Sequence, residues 1–242
     1  MNLRPFFTAL DPDARIKGSR DPLGFEVIWT GLGREIIGNL TTVTRSVRQF
    51  STLLYGFHFA NLAANLSEQR DEQFLPSFLR FEQLAGYARF WTYHEQAVGG
   101  DIRGIRAVRR NVREFGQKRG KLWLSQKREW LILSDQKTYG LYGMFRMAAH
   151  KSGLLDPRND RQLSKRAKEF VTRQLQGLDA SIQKQLVRHI ARDTRFDLAH
   201  SPVVAAVAKF LAPELNLAEV EFYGAHLVRG DHAEITRRLA AR

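Results

Sequence analysis

Cysteine is absent from the 242 residues. That excludes a disulfide framework and any thiolate-ligated metal. Long apolar runs are also missing: nothing approaches the roughly 18 residues a membrane helix needs, so no membrane contact is expected. The start, Met1 to Leu10, has one basic residue and a short apolar stretch before Asp11-Pro12-Asp13. This is too short and interrupted for a secretory signal, and the cytoplasm is the expected compartment. Negative charge is scarce: 25 Asp and Glu face 38 Lys and Arg, a net charge of +13. Such an excess repels itself unless an anion neutralises it. Nucleic acid is the commonest such partner, followed by an acidic protein.

Catalytic signatures are missing as well. There is no G-x-x-x-x-G-K-[ST] phosphate loop and no G-x-S-x-G elbow. The histidines show no i, i+3 or i+4 pairing and no H-E-x-x-H context, so neither a metal nor a cofactor is expected. Gly31-Leu-Gly33 precedes a helical pattern, but the third glycine falls at Gly38, out of register for a dinucleotide fold. The expectation is a protein without catalytic chemistry of its own.

What is present suits a folded, mainly α protein. The chain is 43% hydrophobic, with 16 Phe, 6 Tyr and 4 Trp, enough for an aromatic core. Residues 1–24, with Pro5, Pro12, Gly18, Pro22 and Gly24, read as an extended arm. Ile36, Leu40, Val43, Val47, Phe50, Leu54 and Phe57 then recur in alternating steps of four and three. That is the seam of a long core helix in a bundle. A second helix is expected from Phe74 to Gln96, with Pro76 in its first turn and Gly99-Gly100 after it. These make a helical N-terminal region, 25–99. A basic region, 100–178, and C-terminal helices, 179–242, follow. The latter are expected near 179–193, 202–211, 215–228 and 231–241. Leu122–Leu124 and Trp130–Leu133 read as two short strands, and so as a short β-hairpin.

The basic region holds the functional signal. A helix over 101–115 places Ile102, Ile105, Val108, Val112 and Phe115 on one side and Arg103, Arg106, Arg109, Arg110 and Arg113 on the other. Lys118, Arg119 and Lys121 extend it, so eight basic residues meet only Asp101 and Glu114. Guanidinium forks along such a stripe fit successive phosphates. A second signal spans 134–173: a helix from 135 to 151, capped by Ser134 or Asp135, a charged turn at 156–161, and a helix capped by Ser164. That order occurs in winged-helix domains, which would use Lys137, Arg146, Lys151, Arg158, Arg161, Lys165, Arg166 and Lys168 on phosphates. The competing reading is a plain helical hairpin. Trp91, Trp123 and Trp130 would stack on bases if exposed.

Gly18-Ser-Arg-Asp-Pro-Leu-Gly24, Trp29, Gly33-Arg34, Gly38-Asn-Leu-Thr-Thr-Val-Thr44 and Leu133-Ser-Asp-Gln-Lys-Thr-Tyr-Gly-Leu-Tyr-Gly143, with the later Ser152-Gly-Leu-Leu155, form a further pattern. It resembles uncharacterised accessory proteins encoded in prokaryotic anti-phage defence operons. The resemblance covers about half the chain and implies a subunit of a larger assembly. It assigns no functional residue. The expectation is therefore a nucleic-acid-binding accessory subunit, DNA favoured over RNA, working with other protein subunits. The alternative is a protein–protein scaffold that docks onto an enzyme without touching nucleic acid.

Overall fold

The computed structural model describes residues 40–41, 43–117 and 121–228, together with Phe25, Ile28 and Trp29. The chain divides into two units, Met1–Ile36 and Ile37–Arg242. The expected arm 1–24, the seam residue Ile36 and the helix expected at 231–241 lie outside the described residues. The second unit is mainly helical, with one two-stranded antiparallel sheet.

Helix α1 (Arg48–Ala64) begins later than the heptad seam predicts. Thr41 and Thr44 explain part of this. The Thr41 N–H donates to Thr44 Oγ1 at 3.0 Å, and the Thr44 N–H donates to the Thr41 carbonyl at 3.0 Å. Hydroxyls that satisfy nearby backbone groups compete with the helical ladder. Leu40, Val43 and Val47 still lean on the core from this turn, while Phe50, Leu54 and Phe57 lie fully inside it.

The long core helix is instead α2 (Arg70–Val98), 29 residues. It starts four residues before the expected Phe74, so Pro76 sits in the second turn and removes one ladder bond there. Its last turn is offset by a kink at His94, where φ is 61°. Every residue from Ser77 to Phe90 is buried, so α2 is enclosed on all sides. The contact with α1 is tight at Gly56, where a Cβ would come within 2.7 Å of the Phe78 ring. Phe57 meets Phe78 edge-on, with ring centres 5.4 Å apart.

Because α2 is enclosed, its polar side chains must find partners. Each ties down a different segment. Arg80 donates to Asp193 Oδ1 at 2.8 and 2.9 Å and to the Ile190 carbonyl. Gln83 exchanges two bonds with the backbone of Ser125. Arg89 donates to the Leu211 carbonyl and to Asp101, both at 2.8 Å. Glu82 accepts from the Leu141 N–H at 2.7 Å and from Gln136 Nε2 at 2.8 Å.

Helix α3 (Ile105–Asn111) follows Gly104, whose φ of 74° and contact with the Ile132 carbonyl leave no space for a side chain. It runs on as a π-helical turn, Val112–Gln117. Strand β1 (Lys121–Leu124) appears where expected, but 130–133 forms no strand. Its partner is β2 (Thr194–Asp197), with Leu122 opposite Phe196 and Trp123 opposite Arg195. A pairing partner so distant in sequence leaves no local signal.

The single helix expected over 135–151 is two. Asp135 caps α4 (Gln136–Tyr139), Gly140 is extended, and α5 (Leu141–Lys151) follows. A side chain at Gly140 would press on the Glu82 carboxylate at 2.7 and 2.9 Å. The turn at 156–162 is closed by one bridge, Leu155 to Leu163. Ser164 caps α6 (Lys165–Gln174) as expected, accepting from the Ala167 N–H. Among the described residues the paired strands that a winged helix needs beside this turn are reduced to that bridge, since β1 pairs elsewhere. The 134–173 unit is thus a set of helices joined by a bridged turn, with α5 and α6 each packed on α1.

Among the described residues three α-helices and a π-helical turn, Gly224–Val228, follow: α7 (Ala180–Ala191), capped by Asp179; α8 (Pro202–Phe210), with proline in its first turn; and α9 (Leu217–Tyr223), begun by a capping box of Asn216 and Glu219. The box carboxylate also pairs with Arg48 at the start of α1, and both are buried. Ser51 donates to Glu219 at 3.1 Å, and the Tyr223 hydroxyl donates to Ser51 at 3.0 Å. Glu219→Ala would leave the Arg48 cation buried without its counter-ion. A loss of about 3–5 kcal/mol in urea unfolding is expected, against little change for exposed Glu221→Ala.

Candidate nucleic-acid interface

The arginine stripe is partly consumed by the fold. Arg103 lies in the turn before α3, where its Nε and Nη2 donate to the Tyr139 carbonyl at 3.0 and 2.8 Å. Arg109 pairs with Glu95 at 3.2 Å. Arg106, Arg110 and Arg113 are exposed and form no ion pair among the described residues. Arg106 and Arg110 lie one turn apart on α3, and Arg113 follows in the π-helical turn. Arg110 Nε donates to Oδ1 of its neighbour Asn111 at 3.2 Å. Lys118 and Arg119 lie outside the described residues, and so does the side chain of Lys121, which sits in β1.

The second set is also divided. Arg146 pairs with Asp160 and lies over the Tyr142 ring, 5.3 Å from its centre. Arg161 reaches Asp71 at 3.4 Å. Neither is a free phosphate ligand. Lys137, Lys151, Arg158, Lys165 and Arg166 are exposed. On α6, Lys165, Lys168 and Arg173 line a shallow recess of about 520 Å³ with Glu169 and Thr172. It is a second cationic surface, not part of the α3 stripe.

Tyr87 of α2 is the common floor beneath α3 and the sheet. Its hydroxyl accepts from Asn111 Nδ2 at 2.9 Å, and its ring meets Phe196 of β2 at 6.2 Å. Both elements therefore pack on α2, and β1 also packs against the π-helical turn 112–117. In the sheet, Leu122, Leu124 and Phe196 are buried, while Trp123 and Arg195 are exposed. Of the three tryptophans singled out from the sequence, Trp91 is only partly exposed, and Trp130 packs on Phe115 with ring centres 4.8 Å apart. Trp123 alone of the three belongs to the exposed class, at 38%. Arg195 escaped sequence reasoning because β2 did. The alternation in Thr194-Arg-Phe-Asp197 is the one trace it leaves.

Two other features invite chemistry. A cavity of about 630 Å³ lies between α7, α8 and the start of α9, lined by Leu178, Ile182, Pro202, Ala206, Phe210 and the buried Arg48, among others. Its walls mix these apolar groups with polar ones, among them Asp179, Lys209, Glu214 and Asn216. Among the described residues, no cluster of three His, Asp or Glu side chains is placed to hold a metal, and no helix is long and apolar enough to cross a membrane.

The chain matches no protein-family model, no curated protein and no solved structure.

Buried titratable groups serve the fold. Burial pushes His58 down to about 4, with Lys168 adding repulsion. Burial pushes Glu82 up to about 7, against the pull of the Leu141 N–H, Gln136 and the Arg103 charge. The recess beside Glu82 is only about 10 Å³, so this carboxyl caps α5 rather than meeting a substrate. Its folded pKa lies above the unfolded value of 4.5, so the folded state holds the proton more tightly. The stability gained from the neutral form is complete below about 4.5 and is lost as pH rises through about 7. Relative to Glu82→Gln, the protein should weaken across that window by up to about 1.4 kcal/mol per pH unit. Urea unfolding of both proteins at several pH values checks this, and parallel profiles would refute it.

Proposed function

We propose that this protein is a nucleic-acid-binding accessory subunit, which contributes phosphate contacts to a larger complex whose partners supply the chemistry. The observation that carries the reading is the line of Arg106, Arg110 and Arg113, exposed and without a carboxylate partner among the described residues. Solvated helix faces usually alternate charge sign, which lowers their energy in isolation. Of the local anions, Asp101 holds Arg89 and Glu95 holds Arg109, which leaves exposed Glu114 alone against the three arginines. Guanidinium groups at this spacing suit an anion with regularly repeated charge. The cations of α6 add a second contact, and the net charge of +13 would draw any polyanion to the protein. The resemblance to accessory proteins of anti-phage operons suits such a subunit, acting on DNA in the cytoplasm.

A scaffold without nucleic acid is the second reading. Leu217 and Val220 favour it: they are 73% and 51% exposed, one turn apart on α9. An apolar pair of this kind, beside the cavity, fits a protein contact.

Salt titration separates the readings. Each phosphate neutralised adds about 0.9 to the slope of log affinity against log salt, so the triple variant Arg106→Glu, Arg110→Glu, Arg113→Glu should flatten the slope by about 2.7 and abolish binding at physiological salt. Arg161→Glu, at a side chain already paired, should change it little. Equal affinity for the triple variant and the native chain, on duplex and single strand alike, would remove the first reading.

A further inference from the structure

The outer face of the sheet shows which nucleic acid this surface fits. In β1 and β2 the inward residues Leu122, Leu124 and Phe196 already bury the apolar side. Trp123 faces outward and keeps 38% of its surface exposed. Directly across the ladder stands Arg195, exposed and with no ion pair among the described residues. Asp197, opposite Lys121, is occupied by the N–H groups of Ala199 and His200 and by the His200 ring, at 2.8 to 3.2 Å. An indole beside a cation, in a strand that packs against the π-helical turn bearing Arg113, puts a π surface near phosphate ligands. Paired bases in a duplex hide their faces in the stack, whereas unpaired bases offer them.

Resting on the nucleic-acid reading above, we propose that the ligand is single-stranded nucleic acid. One unpaired base stacks on Trp123, the flanking phosphate meets Arg195, and the strand continues along the α3 arginines. A two-stranded sheet with one outward aromatic is a small platform, so stacking fixes one base and the arginines supply most of the attraction. The contact tolerates any base, because every base has a π face.

Fluorescence titration of the full chain with oligo(dT), oligo(U) and a duplex of equal length tests this at one salt concentration. Trp123→Ala should lose about 5- to 150-fold in affinity for the single strands, the range found for one stacked base, and nothing for the duplex. Trp123→Phe should keep most of the single-strand affinity while losing the quenching of indole emission. Arg195→Glu should weaken single-strand binding without altering the fold. Whichever of oligo(dT) and oligo(U) binds more tightly identifies the strand. If Trp123→Ala binds single strands like the native chain, or loses duplex binding equally, the stacking proposal fails while the arginine interface stands. If the native chain binds none of the three probes, the interface reading fails with it. Should Trp123→Ala not fold, the quenching comparison with Trp123→Phe decides: unchanged quenching in Trp123→Phe overturns the proposal.

Discussion

The close approach of α1 to α2 at Gly56 is the constraint on which the rest of the molecule depends. The missing side chain lets Phe78 and Phe81 pack against the α1 backbone, with ring carbons within about 3 Å of where a Cβ would stand. With α1 on one side and other elements around it, α2 loses its solvent face along Ser77–Phe90. Burial then makes its polar residues obligatory organisers. Arg80, Glu82, Gln83, Tyr87 and Arg89 each need a partner, and each finds it in a different segment of the chain. The aromatic packing supplies the bulk of the driving force, and the polar bonds select the arrangement.

The same arrangement sorts the positive charge. Arg48, Arg80 and Arg89 are drawn inside and paired. Arg109, Arg146 and Arg161 are held by carboxylates nearer the surface. Such exposed pairs contribute little to stability, but they remove anions that would otherwise neutralise neighbouring cations. Arg106, Arg110 and Arg113 are left to solvent. Tyr87 links the elements: it touches both Asn111 of α3 and Phe196 of β2, and β1 packs against the π-helical turn that bears Arg113. Fold and candidate interface are thus linked through one side chain.

Local signals in the sequence were reliable where the physics is local. Ser164, Asp179 and Pro202 mark helix starts that the structure retains, and Gly99 ends α2. Caps and glycine stops depend on a few adjacent residues, so they survive without tertiary context. Periodicity misled at Val43 and Val47, whose apolar spacing is helical, while beside them the Thr44 hydroxyl accepts the Thr41 N–H and the chain turns before α1. The helix expected over 135–151 runs through Gly140, where the structure breaks it. The role of Gly140 comes from Glu82, a residue 58 positions away that no window reveals. The same holds for β2: Leu122 pairs with Phe196, so the local choice of 130–133 as partner had nothing to correct it. At the interface, the arginines could be named from sequence, but which of them stay unpaired depends on Glu95, Asp160 and Asp71, which only the fold brings near.

Hydrogen–deuterium exchange of the full chain, with and without a saturating single-stranded oligonucleotide, tests the central claim most directly. The account predicts slowed exchange concentrated in 105–124 and 194–198, the segments bearing the unpaired arginines and the outward tryptophan. Unchanged exchange there, with protection confined to α9 and the rim of the cavity, would contradict it.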